Sequence, residues 1–448
     1  MWIENGWFYA AFAVLNTLKI KEFNLVIQKK RKKCISCGTE LPDDIVMIGD
    51  QYPSAIFLSE KYPVPPDLHS SSLNVTRCTE KSCSLIQLSC EYDLQYVFDH
   101  YPYESGSTAT MKQILKDVVD DAQKIVQLKS DDVVLDIGGN DGTLLDLISS
   151  PVKLRVNIDA AADVKQKVTK PNYHHIQARY KAEIYKNLGL PNPKLITSVA
   201  MFYHLNNPLE FCRNVAEIMD QDSVWVLQMT YVGTMLQDNI FDNIVHEHVA
   251  YYSLFSVESL LEQVGLFVAE ARIVKSYGGS LRLFIVKSAS KFPREYLRKE
   301  YPTVQNYENV HGTNTFEVLY AFNSRIQLLR DSLKEIIKHL AKECGPIWGF
   351  GASTKGNMIL QFLGIESDQL PCILDNSPKK IGTKTTGSLV PIVEEATHLS
   401  KLPDYLLILP YYYTEAFVRI IRKKLPVGRK VHLLIPLPYP KFITIQNN

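Results

Sequence analysis

The chain has 448 residues, 46% of them apolar and 22% charged, with 49 basic against 48 acidic side chains and a formal net charge of +1. That length suits roughly two to four domains at ~100–200 residues each, and the composition is that of an ordinary globular protein. So even a charge balance argues against a nucleic-acid backbone as the main partner, and no run of ~18 apolar residues is present to span a membrane.

Residues 1–33 come first. The most apolar stretch there, Trp7 to Leu18, contains Asn16 and stops at Lys19, without a basic flank before it or a clear small-residue cleavage site. It reads as neither signal peptide nor anchor. Lys29-Lys-Arg-Lys-Lys33 closes the segment as a solvated basic extension outside the core. The expected setting is the cytoplasm, where thiols stay reduced.

From Cys34 to about Thr110 the chain is rich in Pro, Tyr and Ser and has little helical periodicity. A block with so small a core needs a staple. Cys34-x2-Cys37 and, after a long loop, Cys78-x4-Cys83 supply one: four thiolates in two close pairs suit a structural, tetrahedral Zn²⁺ with no open position. Gly38 frees the chain to turn after the first pair. Cys90, Cys212, Cys344 and Cys372 are scattered and read as core residues.

From about Met111 to Ser288 helices and strands alternate. Helical spacing covers Ile114–Val126, Gly142–Ile148, Pro208–Met219 and Val257–Val264. Strands are expected at Val133–Ile137, Leu154–Ile158, Leu195–Ala200, Val224–Met229, Phe267–Val274 and Leu281–Val286. Such alternation implies a mostly parallel sheet with helices on both faces.

The segment Val133–Leu145 says most about function. It is a strand, a glycine-rich turn and a helix start, with Asp136, Gly138, Gly139, Asn140 and Gly142 in the turn and Asp159 ending the next strand. Glycines let backbone N–H groups approach a ligand closely, and an acid at the second strand end can accept from a ribose diol. The pattern is D-x-G-G-N-D-G, not the G-x-G-x-x-G of dinucleotide enzymes. It points to S-adenosylmethionine (SAM), which carries no pyrophosphate over the turn, so Asp136 is tolerable there.

After the strand Val224–Met229 comes a long connection, Asp238–Ser253, holding His246, Glu247, His248, Tyr251 and Tyr252. Long connections at strand ends often carry function. A histidine can remove a proton, and a neighbouring carboxylate can orient it. A metal-binding histidine pair or a solvated turn is the alternative for these residues.

The last block begins near Phe292. A long helix is expected from Thr315 to Lys342, with Phe316, Leu319, Phe322, Ile326, Leu329, Leu333, Ile336 and Leu340 in one stripe. Then Ile347–Asn357 repeats the strand–glycine turn–helix pattern, and the strands Cys372–Leu374 and Tyr405–Leu409 complete a smaller α/β unit.

Taken together, these segments resemble the SAM-dependent sugar C-methyltransferase family, whose members act on nucleotide-linked 4-keto-6-deoxy sugars. The resemblance covers nearly the whole chain from Cys34 on. It rests on the Cys pairs, Tyr101-Pro-Tyr-Glu-Ser-Gly-Ser107, Val134–Thr143, His246-Glu-His248, Gly278-Gly-Ser-Leu-Arg282, Gly351-Ala-Ser-Thr-Lys-Gly-Asn357 and Asp375-Asn-Ser-Pro-Lys379. It implies an extension (1–33), a small zinc-binding domain (34–110), a central seven-stranded Rossmann-like SAM domain (111–290) and a smaller Rossmann-like substrate domain (291–448).

The resemblance further implies that His248 is the general base, generating an enolate carbon that takes the SAM methyl. Glu247 and Tyr103 would stand close to the reacting sugar, and Met201 would touch the adenosine. His204 could line the sugar pocket or only pack. Ser353, Thr354 and Lys355, at a helix N-terminus, would hold the diphosphate of a nucleotide sugar; a turn that only packs is the alternative.

Three features depart from the family. Val245 stands where keto-sugar methylating members carry tyrosine, the second Cys pair is Cys-x4-Cys, and the segment before Cys34 has no counterpart. An O-methyltransferase with the same SAM site is the nearest alternative. A zinc-ribbon binding module is disfavoured by the near-zero charge and the intact turn. The expected partner is a small molecule, with no nucleic acid and no membrane.

Overall fold

A computed structural model describes residues 29–59, 68–92, 104–161, 164–288, 292–398 and 401–447. Its centre is a seven-stranded sheet. The strands lie in the spatial order Phe267–Val274, Ser280–Val286, Val224–Thr230, Leu195–Val199, Val133–Ile137, Leu154–Asp159 and Tyr173–Gln177. Ser280–Val286 runs antiparallel to both neighbours, and the other pairings are parallel. Val133–Ile137 is buried along its whole length, as a strand covered by helices on both faces must be. Helices Ala109–Ile125, Pro208–Ile218 and Leu254–Glu262 start where the side chains of Thr108, Asn207 and Ser253 accept N–H groups of the first turn, the usual way of satisfying those donors. Strand order reverses between Val133–Ile137 and Leu195–Val199, which opens a crevice at their C-terminal ends.

Sequence expectation and structure agree on most of these elements. The strand Tyr173–Gln177 and the helix Ala182–Lys186 are additional. The strand is a half-exposed sheet edge of Tyr, His, His, Ile and Gln, so it carries no apolar alternation to read.

Before the central sheet, Val46–Gln51, Ser71–Arg77 and Ile86–Leu88 form an antiparallel sheet. Its fourth strand, Ala250–Tyr251, comes from the long connection after Val224–Thr230. Lys29–Lys30 pairs with Cys90–Glu91, so the basic stretch is part of the fold from its first residues and not a free tail.

The C-terminal unit has six strands where three were expected, in the order Ile392–Glu394, Ile373–Asp375, Ile347–Phe350, Tyr405–Ile408, Lys430–Ile435 and Lys441–Gln446. The last is antiparallel and the rest are parallel. The helix Phe316–Glu343, capped by Thr315, precedes them and buries Leu319, Phe322, Ile326, Leu329, Leu333, Ile337 and Leu340. Each such side chain contributes roughly 1.5–3 kcal/mol on burial. These residues share one apolar cluster with Ile48 and Leu73 of the first sheet, Phe241 and Val245 of the long connection, and Leu363 and Ile373 of the C-terminal unit. One core therefore runs through all three blocks. Cys90, Cys212 and Cys372 are buried as expected, but Cys344 is exposed. It caps the end of the long helix, beyond the buried stripe. No helix of the described residues is long and apolar enough to cross a membrane.

Candidate active site

The turn after Val133–Ile137 is built by steric necessity. Gly138 and Gly142 have φ of +74° and +77°, where a Cβ costs roughly 1–2 kcal/mol. Gly139 is needed for space: a Cβ there would lie 2.4 Å from Asn157 Oδ1 and 2.5 Å from Asp136 Oδ2. Asp136 is buried under the turn and accepts the Thr197 hydroxyl at 2.7 Å, and burial pushes its carboxyl up to about 7. One oxygen of Asp159 accepts the Asn140 N–H and the other the Ala161 N–H, both at 2.8 Å.

A cleft of about 1810 Å³ opens over this turn, lined by Asp136, Gly138, Gly139, Asn140, Asp159 and Met201 among others. Gly142 is not part of that lining. It starts the helix behind the turn, and a Cβ on it would meet Val168 at 2.4 Å. That close approach is a packing reason for glycine at this position.

The preceding segment straps the turn, which the sequence did not disclose. The Ser105 N–H donates to Asn140 Oδ1 (2.9 Å) and the Gly106 N–H to Asp141 Oδ2 (2.7 Å). Glu104 lies between Lys167 Nζ (2.6 Å) and Lys379 Nζ (2.8 Å), which hold its carboxyl down at about 2. Lys379 belongs to the C-terminal unit, so the strap ties that unit to the central one. Tyr103 lies outside the described residues.

The long connection delivers Val245, Glu247 and His248 to the same cleft. His248 Nδ1 lies 2.7 Å from the Asn243 carbonyl oxygen. A carbonyl only accepts, so Nδ1 carries the hydrogen and Nε2 is the unprotonated nitrogen. Burial, His204 and Lys355 together hold its pKa well below the usual 6.5. The ring packs edge-on against Tyr203 and stacks on His204 at 5.4 Å. Among the described residues no hydrogen bond joins Glu247 to His248. The orienting group is a backbone carbonyl, not the neighbouring carboxylate that the sequence suggested. Burial raises Glu247 to about 7 and lowers His204 to about 3. His246 points elsewhere: its Nε2 meets Ser71 Oγ at 3.0 Å and its ring meets Tyr92. Tyr251 and Tyr252 are buried in apolar clusters and do not line the cleft.

The second glycine turn reaches the cleft from the opposite unit through Ser353, Thr354 and Lys355. Ser353 Oγ accepts the Gly356 N–H at 2.9 Å and caps the helix Thr354–Leu363. Asp375 accepts the Ala352 N–H (2.8 Å) and the Ser377 N–H (2.7 Å), repeating what Asp159 does in the first turn. Lys355 does not extend from the helix end toward solvent. Its Nζ is buried 4.8 Å from the Tyr412 ring centre, with no hydrogen-bond partner among the described residues. Lys379, Lys380 and Lys384 are more exposed cations of this wall.

The four N-terminal thiols converge. The Sγ atoms of Cys34, Cys37, Cys78 and Cys83 all lie within 4.8 Å of one another, Cys34–Cys83 at 3.8 Å and Cys37–Cys78 at 3.4 Å. A tetrahedral Zn²⁺ with Zn–S of about 2.3 Å sets its sulfurs ~3.8 Å apart. Arg77 is buried beside them, and its Nε and one terminal nitrogen have no hydrogen-bond partner among the described residues. A buried cation next to four sulfurs suits a doubly negative metal–tetrathiolate. The donor set therefore fits zinc, and all four donors would be used in holding it.

A family model described as methyltransferase domain matches residues 108–271, and one described as C-methyltransferase C-terminal domain matches residues 275–438. The chain is 24% identical over 417 residues to C-methyltransferase NovU from Streptomyces niveus, covering 93% of this chain and 97% of that one. Among solved structures, it is similar to the Haloferax volcanii complex of the Trm112 methyltransferase activator and a putative methyltransferase, with 12% identity, 40% of this chain, 95% of that one and a TM-score of 0.33. It is also similar to magnesium protoporphyrin IX methyltransferase from Synechocystis with bound SAH, with 12% identity, 44% of this chain, 98% of that one and a TM-score of 0.34.

Proposed function

We propose, from the premise that this chain belongs to the SAM-dependent C-methyltransferases, that it methylates the carbon beside the ketone of a nucleotide-linked keto-deoxy sugar. SAM, when bound, supplies an electrophilic methyl group. Asp136, Gly138, Gly139, Asn140 and Asp159 would hold it, with Asp159 toward the ribose and Met201 against the adenosine. His248 Nε2 takes the proton from the carbon next to the carbonyl, and the freed electron pair makes that carbon the nucleophile. Glu247 borders the reacting sugar, a place the resemblance implies for Tyr103 as well, and His204 backs the base.

The N-terminus of the helix Thr354–Leu363, with Ser353, Thr354 and the nearby Lys379 and Lys380, takes the diphosphate. Zn²⁺ on Cys34, Cys37, Cys78 and Cys83 is structural. In this reading residues 34–110 staple the site, 111–290 hold the cofactor and 291–448 hold the acceptor, in a cytoplasmic enzyme.

One observation carries the proposal: a neutral imidazole, fixed in the tautomer that exposes Nε2, shares a cleft with the SAM turn and a helix N-terminus. The test is incubation with ¹³C-methyl SAM and a 4-keto-6-deoxy sugar nucleotide, followed by carbon NMR. A methyl resonance coupled to ring carbon is the expected product. A methoxy resonance would instead mark an O-methyltransferase.

A further inference from the structure

Taking a proton from carbon leaves negative charge on the carbonyl oxygen, and the site has to receive it. His248 Nδ1 serves the Asn243 carbonyl, and the Tyr411 hydroxyl donates to Asp242 Oδ1 at 3.1 Å. Val245, buried in the same wall, offers none. Lys355 stands apart. Its Nζ is buried, faces the ring of Tyr412, makes no hydrogen bond with any described residue, and lines the cleft with Glu247 and His248. Burial lowers its pKa, and Asp242, close enough to oppose that electrostatically, forms no ion pair with it. An ammonium that has an aromatic face but no hydrogen bond or ion pair is costly to bury, so the fold maintains a donor that a ligand can satisfy. Diphosphates are strongly hydrated and suit the more exposed Lys379 and Lys380; a desolvated, single-point donor suits one developing oxyanion.

We propose that the Lys355 ammonium is the catalytic electrophile, donating a hydrogen bond to the acceptor's carbonyl oxygen and holding the oxyanion formed when His248 removes the neighbouring proton. The proton passes to Nε2, the C–H pair becomes the C=C bond, and the C=O π pair moves to oxygen. Lys355 keeps its own proton throughout. When the carbon takes the methyl, the carbonyl re-forms and the hydrogen bond relaxes. This assignment rests on the carbon-acid reading above and departs from a diphosphate role for the same lysine.

The test is deuterium uptake from D₂O at the carbon beside the ketone, followed by proton NMR with UDP- and dTDP-4-keto-6-deoxyglucose. S-adenosylhomocysteine (SAH) fills the cofactor site so that no methyl transfer intervenes. Lys355→Met should slow exchange by roughly 10²–10³-fold, with Lys355→Arg in between, while affinities for SAH, UDP and dTDP stay within a few-fold. If the Met variant does not fold, the Arg variant carries the same comparison. Exchange at the wild-type rate overturns the assignment. So does a fall in nucleoside diphosphate affinity that matches the loss of exchange, which would return Lys355 to the phosphates. Failure of the wild type itself to exchange either probe, with SAH binding intact, would overturn the carbon-acid reading and this inference with it.

Discussion

Burial, His204 and Lys355 all disfavour the charged form of His248, while the Asn243 carbonyl selects its tautomer. His248→Ala should lower turnover by roughly 10²–10⁴-fold and leave SAM affinity within a few-fold; unchanged turnover would remove the base assignment. The acid limb set by His248 belongs well below pH 6.5. Glu247 and Asp136, both raised to about 7, line the cleft, and Glu247 is the one next to His248 in the chain. A Glu247→Gln variant should therefore lose an inflection near pH 7 in kcat/KM, and an unaltered profile would exclude Glu247 from the chemistry. Asp136 yields a stability prediction. Its folded-state value of about 7 lies above the ordinary 3.8, so the folded chain holds the proton more tightly than the unfolded one. The stability it contributes is fully present below pH 3.8 and is lost as pH rises through about 7. In calorimetric scans the melting advantage of Asp136→Asn over wild type should grow between those values and then level off. A difference independent of pH would contradict the buried-carboxyl account.

The segment 244–253 is positioned by the first sheet as much as by the central one. Ala250–Tyr251 pairs with Ile86–Leu88, the Leu88 N–H donates to the Val249 carbonyl at 2.9 Å, and His246 is pinned by Ser71 and Tyr92. Structural metal is part of folding energy. Chelation should thus raise hydrogen exchange in residues 71–92 and 244–253 together while residues 133–145 stay protected. Continued protection of 244–253 would show that the two are uncoupled. Elements differ in how far the sequence disclosed them. Val133–Ile137 could be read because a strand covered on both faces is continuously apolar. Tyr173–Gln177 and Lys441–Gln446 could not, since half-exposed edge strands carry mixed patterns. The two glycine turns and the thiol cluster were legible from local spacing, whereas spacing alone left His246 and His248 equivalent and the resemblance singled out His248. The burial of Lys355 was not, because Tyr412 and Asp242 reach it from distant segments. The strap at Glu104 was hidden for the same reason: its two lysines sit in different units.

At the scale of the whole molecule, Glu104 is where the central and C-terminal units meet over the cleft. Its carboxyl is held at about 2 against an ordinary 4.5, so what it contributes is complete above pH 4.5 and is lost as pH falls toward 2. The lysines are largely exposed, which limits each contact to roughly 0.2–1 kcal/mol. Glu104→Gln should accelerate SAH release by a few-fold at low salt in stopped-flow traces, and high salt should bring the wild type to the same rate. Equal release rates at low salt would show that the strap does not gate the cleft. The helix Phe316–Glu343 has a consequence of another kind. Its apolar stripe touches the first sheet, the long connection and the C-terminal strands at once. A chimera that borrows its C-terminal half from another chain must therefore import this helix and the surfaces it rests on as a set. A seam placed between them would leave each parent's interior facing a stranger.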